Sequence, residues 1–535
     1  MTLNLADLYE AVAAAIPERT ALICQDVPLT FAELDQRANQ VANYLISAGI
    51  KPGDHIGIHM LNAHAYVETL LGAFKARAVP ININYRYVGG ELSYLFNDAD
   101  LKALVVSGEF VGRDLDIIDQ TPQLTLFLVT GDEHACAADL TAPEGVTIVD
   151  YEEVVGAADT TAPLVDERRA DDTLVIYTGG TTGMPKGVIW GHEAFYFAAL
   201  TGANPYGDPY LNAEELVAGV TSPDAMQIMY SLTAPLMHGA ALYALWTALL
   251  GGNTTVMMTK FDPVEFLALV DKYKINIGMI VGDAIARPLA DALREHKEQY
   301  DLSSLFYIGG GGAIFSETVQ DELKEQLPNI ILGNSFGASE SGVDGSISTG
   351  EDGLMRLAPK PGVKVLDENL AEIQPGSGDL GYLARTGHVP MGYYGDPEKT
   401  ARTFPMIDGQ RWVMLGDMAE VEADGTIIVH GRGSGVINSG GEKVFPEEVE
   451  QAIKAYPPVE DCLVAGVDDD TYGQRVGAVI QLREGAGEFT QDGLKEFLRG
   501  KIASYKIPAV VSVVDTIVRS PAGKADYRWA KRTFN

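Results

Sequence analysis

The string TLVIYTGGTTGMPKGV (173–188) runs from an apolar stretch into a loop dense in glycine and threonine that closes on Lys186. Those residue types suit phosphate. Gly179, Gly180 and Gly183 let backbone N–H groups approach an anion, Thr178, Thr181 and Thr182 offer hydroxyls, and Lys186 adds a compact positive charge. The loop is therefore expected to hold a polyphosphate. It is not the GxxxxGK[ST] loop that opens a helix, because Pro185 precedes the lysine and Gly187 follows it. A second spacing with chemical meaning is GNSFG (333–337), which matches the GxSxG turn of a serine hydrolase and makes Ser335 a nucleophile candidate with later Asp and His partners. Its surroundings argue against that use, since a nucleophile elbow opens a helix and the following ASESGVDGSIST is short and rich in Gly and Ser.

Elements able to position such a loop are legible on both sides of it. Thr30 and Glu33 form a capping box, and Leu34, Ala38, Val41, Ala42 and Leu45 make one helical stripe that Gly49 ends; strand HIGIHM (55–60) follows. The alternation returns in FDPVEFLALVDKY (261–273) before INIGMIVG (275–282), and in LFYI (305–308) before a helix from Ser316. This pattern predicts α/β layers with helices flanking mostly parallel strands. The apolar run 240–250 is shorter than the roughly 20 residues a membrane span needs, and reads as a buried helix ended by Gly251 and Gly252. A hinge is expected near 432–435, where GRGSGVINSGG (431–441) is too rich in glycine for a long regular element. It divides the chain into domains 1–432 and 433–535. In the second, Pro446 opens a helix whose Val449, Ile453 and Tyr456 share a face, and CLVAGV (462–467), RVGAVIQL (475–482) and AVVSVV (509–514) read as strands, with helix GLKEFLRGKI (493–502) before the last.

Composition narrows the class. Of 535 residues, 46% are apolar and 21% charged, as in folded soluble enzymes. The 39 basic and 74 acidic residues leave a net charge of −35, which repels nucleic-acid backbones and anionic lipid surfaces. Cys24, Cys136 and Cys462 are scattered without CxxC spacing, which fits a reducing compartment, and the N-terminal stretch has Asp7 and Glu10 where an export signal would be apolar. A cytoplasmic protein without an integral membrane segment is expected.

The phosphate loop resembles the AMP-binding signature of the adenylate-forming superfamily, which holds acyl-CoA synthetases, adenylation domains of peptide synthetases and beetle luciferases. Further strings similar to that family's recur in its order: LLGAFKARAVPININ (70–84), PLMHGA (235–240), YIGGGGAIFS (307–316), NSFGASE (334–340), GDLGYL (378–383), LGD (415–417), GRGSGVINSGGEKVFPEEVE (431–450) and SPAGKADY (520–527). The resemblance implies an α/β fold with a large multi-layer N-terminal adenylate-forming domain and a small mobile α+β C-terminal domain. It implies that a carboxylate attacks the α-phosphate of ATP to give acyl-AMP and pyrophosphate, and that a thiol then takes the acyl group. Such chemistry needs charge neutralisation and in-line positioning rather than an enzyme nucleophile. By the same resemblance Glu340 would hold Mg²⁺, and Ser335, Phe336, Gly337, Ala338 and Ser339 would border the nucleotide with Phe336 near the adenine. Asp417 and Arg432 would grip the ribose, Gly311, Gly312 and Ala313 would let the nucleotide lie on backbone, and His238 would stand between nucleotide and acyl pocket. Thr182 and Lys524 join Glu340 and His238 in the catalytic set, Lys524 at the carboxylate and α-phosphate. Rotation of the last domain would then bring Gly440, Gly441 and Lys443 to a channel for CoA.

The chain departs from the family's common pattern in having Phe336 for Tyr, Ser339 for Thr, Leu415 two residues before Asp417 where Thr is common, and Ser434 and Gly435 at the pivot. The wording of 431–450 is similar to a branch acting on fatty acids and steroid side-chain acids, which implies an ATP-dependent acyl-CoA synthetase. The co-substrates implied are ATP, CoA and a small-molecule carboxylic acid, with Mg²⁺ as metal; a homodimer is an open assembly. An adenylating enzyme with a non-CoA acceptor is the alternative. A serine hydrolase using GNSFG is a distant one, and a non-catalytic nucleotide binder is disfavoured by Lys186, Glu340, Asp417 and Lys524 standing together.

Overall fold

The computed structural model describes the chain apart from residues 1, 179–183, 206, 314, 351–353, 433–434, 440–441, 470–472, 488, 500, 503, 520–524 and 535, and gives only the backbone of 432, 438–439, 442–443 and 473. Three sheets organise it. In the first, Thr173–Thr178, Val79–Asn82, His55–His59, Leu101–Ser107, Leu126–Thr130 and Thr147–Asp150 lie parallel in that order. At its edge Lys186–Gly191 turns back antiparallel on Thr173–Thr178, and Gly392–Tyr393 adds a further antiparallel strand. The glycine- and threonine-rich loop is thus the tip of a hairpin, not a strand-to-helix turn, which is the structural reason it is not a helix-opening phosphate loop.

The second sheet departs from the expectation of mostly parallel strands. Thr20–Cys24, Thr254–Met257, Met229–Leu232, Ile277–Ile280, Tyr307–Gly311 and Ile331–Ala338 are parallel. From Ile331–Ala338 onward the order continues antiparallel through Gly342–Thr349, Met355–Pro359, Ile427–Arg432, Gln410–Val421, Gly381–Thr386 and Val363–Leu366. The switch comes where the connections become too short for a crossover helix, so hairpins are the only available link. Gly342, at φ +78°, makes the first of these turns, and a Cβ on Gly337 would lie 2.0 Å from the Gly342 carbonyl oxygen.

Helices between the sheets follow the sequence pattern. Phe31–Ser47 starts on the Thr30/Glu33 capping box and buries Leu34, Ala38, Val41, Ala42 and Leu45. It crosses the helix His64–Lys75 so closely that a Cβ on Gly72 would meet Val41 at 2.6 Å. Gly239–Leu250 is buried through Leu245, Trp246, Leu249 and Leu250, each contributing about 1.5–3 kcal/mol by leaving water. This anchors a helix whose N-terminus faces the site described below.

The third sheet places Glu442–Val444, Ile437–Ser439, Gly473–Leu482 and Val459–Asp469 antiparallel, with Val510–Val514 added parallel. Helices Pro446–Lys454 and Gln491–Leu498 close it over a core of its own, including Val449, Ile453, Cys462, Val464, Ile480 and Leu494. This layer meets the helices Asp283–His296 and Glu317–Gln326 through ions: Arg287 to Glu460 at 3.2 Å, Arg483 to Glu322 at 3.1 Å, and Lys454 to Asp283 at 3.9 Å.

Candidate active site

Lys186 is the first residue of its strand and pairs with Thr178 across the hairpin, so the ends of the phosphate loop are held in register. Gly179, Gly180, Thr181, Thr182 and Gly183 lie outside the described residues. The half-buried Lys186 ammonium reaches Asp396 Oδ2 at 3.2 Å. Burial opposes its charge, but the hydrogen bonds to Asp396 and Tyr94 prevail and raise its pKa. Lys186 is therefore a cation held ready.

Asp396 comes from the segment 391–399, which the sequence reading did not single out. Gly392 and Tyr393 pair with Ile189 and Val188, and the Tyr394 N–H donates to Gly187 O at 2.8 Å. Asp396 then caps the helix Pro397–Thr403, accepting from Lys399 N at 3.0 Å. The buried Tyr393 lies edge-on to Phe404, 5.3 Å between centroids, with Lys399 Nζ 4.4 Å above its ring. Its hydroxyl donates to Glu340 Oε1 at 3.0 Å. One segment thus touches both the phosphate lysine and the expected metal carboxylate.

Glu340 stands on the turn between Ile331–Ala338 and Gly342–Thr349, and packing fixes that turn from three sides. Ser341 Oγ accepts from Ala338 N at 3.1 Å and donates to Asp344 Oδ2 at 2.5 Å. Asp344 is buried and paired with Arg385 at 3.0 Å; desolvation raises its carboxyl pKa despite the guanidinium. Trp190 Nε1 donates to Ser339 O at 2.8 Å, tying the turn to the strand that starts at Lys186. Among the described residues no three His, Cys, Asp or Glu side chains form a metal cage. A single half-buried carboxylate beside a phosphate lysine does fit Mg²⁺, which takes few protein ligands and completes its shell with water and phosphate oxygens.

His238 is the half-buried N-cap residue of Gly239–Leu250 and stands beside the turn. A Cβ on Gly239 would lie 3.3 Å from Ser339 Oγ and 3.6 Å from Tyr243 Oη, so glycine there keeps a slot open between helix and turn. A Cβ on Gly312, at φ +79°, would approach Ala240 to 3.5 Å. Gly311 ends its strand opposite Ser335, while Gly312 and Ala313 are exposed. These glycine and alanine positions line the same helix N-terminus as Glu340.

Ser335 sits within the extended strand Ile331–Ala338, paired to Gly311 on one side and Ser346 on the other. That corrects the hydrolase alternative: the serine has no sharp strand-to-helix turn to present it. Phe336 is half-buried against the cluster of Leu357, Val363 and Val365, and a bulge separates it from Gly337; Ala338 ends the strand. Asp417 is half-buried and its Cα partner across the ladder is Arg432, whose side chain is not described. Leu415 packs on the main core instead of offering a hydroxyl. Lys443 is seen as backbone, paired with Asn438; Gly440, Gly441 and Lys524 lie outside the described residues. Three residues after Lys524, Tyr527 reaches the buried Glu450 at 3.3 Å.

Comparison with known proteins places this architecture. Residues 9–394 match the AMP-binding enzyme family and 448–524 its C-terminal domain. The chain is 42% identical to the medium/long-chain-fatty-acid–CoA/3-oxocholest-4-en-26-oate–CoA ligase of Mycobacterium marinum, over 99% of this chain and 96% of that one. It is also 42% identical to the 3-oxocholest-4-en-26-oate–CoA ligase of Rhodococcus rhodochrous, with the same coverage. Among solved structures, ATP-bound MatB from Rhodopseudomonas palustris shares the fold with TM-score 0.80 at 23% identity, over 100% of this chain and 99% of that one. The chain belongs to the AMP-binding enzymes, and within them it is an adenylate-forming acyl-CoA synthetase.

Proposed function

We propose that the acid activated is a hydrocarbon-rich one, a medium- or long-chain fatty acid or a steroid side-chain acid, and that coenzyme A takes the acyl group. The printed activities of the relatives in Mycobacterium marinum and Rhodococcus rhodochrous support this substrate class. The single structural observation that carries the site assignment is the convergence of Lys186 and Glu340 on one segment, through Asp396 and Tyr393.

In the proposed reaction a carboxylate oxygen of the acid attacks the α-phosphorus of ATP, and the bond to pyrophosphate breaks. Lys186 and the loop before it neutralise phosphate charge, and Lys524 stabilises the charge that builds at the α-phosphate. Glu340 would hold Mg²⁺, which when bound neutralises phosphate oxygens. Gly239 and Gly312 keep the slot in which the carboxylate and nucleotide lie, with His238 between them and the acyl chain. Asp417 accepts from the ribose hydroxyls, with Arg432 beside it. The thiol of CoA then loses its proton, its sulfur attacks the acyl carbonyl, and AMP leaves. The hinge near 432–435 swings the last domain between the steps, bringing Gly440, Gly441 and Lys443 to the channel.

The proposed compartment is the reducing cytoplasm, supported by Cys24 and Cys462 being buried and unpaired; no described helix is long and apolar enough to cross a membrane. The test is CoA-dependent AMP release from ATP across straight-chain, aromatic and steroid side-chain acids. AMP with matching acyl-CoA is expected for the fatty or steroid class. Release confined to aromatic acids, or adenylation without CoA product, would refute the assignment.

A further inference from the structure

Lys186 is the cation on which the proposed phosphate chemistry depends, yet its charge already has a partner. Asp396 Oδ2 lies 3.2 Å from its ammonium, and neither side chain is fully exposed, at 28% and 25%. The other carboxylate oxygen caps the next helix at Lys399 N. The two oxygens thus have separate tasks, one structural and one facing the phosphate lysine.

Nor can Asp396 withdraw far. The segment before it is hydrogen-bonded to the strand that carries Lys186, by Met391 N to Ile189 O at 2.7 Å and Tyr394 N to Gly187 O at 2.8 Å. Pro397 restricts the backbone immediately after it. A nucleotide phosphate reaching Lys186 therefore meets a fixed negative charge, and must replace it at the ammonium without expelling it from the site. Lys399, which is close enough to feel Lys186, Asp396 and Glu340, remains beside the carboxylate after that exchange.

We propose that Asp396 is the resting counter-ion of Lys186: it holds the ammonium in place between turnovers and competes with ATP and pyrophosphate for it, so that it weakens the binding of both and hastens the departure of pyrophosphate. The inference rests on the reading of Lys186 as a phosphate ligand. The competition is electrostatic, acts over a few ångströms at a half-exposed site, and is reduced by salt. Its counterpart is that Lys186 is never a wandering side chain that phosphate must first order.

The test is Asp396→Asn in the full chain, because Asn also caps helices and keeps an oxygen for Lys399 N while losing the charge. Binding of Mg·ATP and of Mg·pyrophosphate is measured by calorimetry at low and high salt, with Asp396→Ser as a second capping variant and Lys186→Met as a control. The expected result is binding of both ligands tightened about three- to tenfold in the Asn and Ser variants, the gain shrinking at high salt, with an unchanged melting temperature. Pyrophosphate should become a correspondingly stronger product inhibitor, and KM for ATP should fall without a rise in kcat. Equal or weaker binding in both capping variants overturns this inference alone. If wild-type protein binds neither ligand, or Lys186→Met binds them as well as wild type, the underlying reading of Lys186 falls with it.

Discussion

Tyr393→Phe isolates the contact that orients Glu340. The phenol ring is 6% exposed, packs edge-on against Phe404 and carries Lys399 Nζ above its face, and phenylalanine preserves all of this. What goes is the hydroxyl that donates to Glu340 Oε1 at 3.0 Å. A hydrogen bond to an ionised group contributes about 1.5–3 kcal/mol when enclosed, and because Glu340 is half-buried and water can replace part of the contact, about 1–2 kcal/mol is the expected loss. At about 1.4 kcal/mol per factor of ten, acyl-AMP formation should slow about 5- to 30-fold. The loss should be greatest at low magnesium concentration, since a misoriented carboxylate is a poorer ligand. Acid-dependent exchange of pyrophosphate into ATP measures this half-reaction, and thioester formation from synthetic acyl-AMP measures the other. The second should stay within a factor of two of wild type. If exchange is unaffected at limiting magnesium, or both half-reactions drop together with the melting temperature, Tyr393 serves the fold rather than Glu340.

Three further outcomes are expected. Lys524→Ala should lower acyl-AMP formation by about 10²–10³-fold, the loss typical of one preorganised charge contact, and spare thioester formation from supplied acyl-AMP; equal loss of both, measured by single turnover, counts against its placement. Glu450 is buried beneath Tyr527 and Val464, and desolvation, aided by the Glu447 charge, pushes its pKa up to about 8. A raised carboxyl pKa stabilises the fold fully below its unfolded value and loses that contribution as pH rises toward 8, so Glu450→Gln should raise the melting temperature at pH 8.5 and leave it unchanged near pH 4.5; a gain independent of pH in thermal denaturation would contradict this. Arg287 is 5% exposed and bridges to Glu460 of the third sheet, so Arg287→Met leaves that carboxylate facing the low-dielectric seam and should weaken domain docking by about 1–3 kcal/mol. Faster hydrogen exchange along Asp283–His296 would register the loosening, and unchanged exchange would show that the seam is held by other contacts.

Local signals placed much of this fold in advance. The Thr30/Glu33 capping box, the stripe from Leu34 to Leu45 and the buried helix before Gly251 are short-range features, determined by residues a few positions apart. Pro446 likewise opens its helix at the expected place. The helix read as 493–502 runs instead over Gln491–Leu498, starting earlier because Thr490 accepts from Gly493 N. The reading of mostly parallel strands stopped being right at Gly342, because the direction of pairing depends on which strands meet across the sheet, and period-two patterns look alike in both arrangements. GNSFG misled in the same way: five residues match an elbow, but pairing to Gly311 and Ser346 draws them into an extended strand.

The site divides along the same line. The chemical nature of Lys186, Glu340, Asp417 and the glycines around them was open to view in the chain, since charge, small size and hydroxyl content belong to the residues and their order identifies the family. Their company was not. Tyr393 and Asp396 lie in a string that reads only as a turn and a helix start, and they acquire meaning because Gly392 and Tyr393 pair with Ile189 and Val188, which sets that string against Lys186 and Glu340. Contacts between residues so distant along the chain arise from sheet order and packing, and no local pattern of residue types encodes which partner a lysine or a carboxylate will face once the chain has folded.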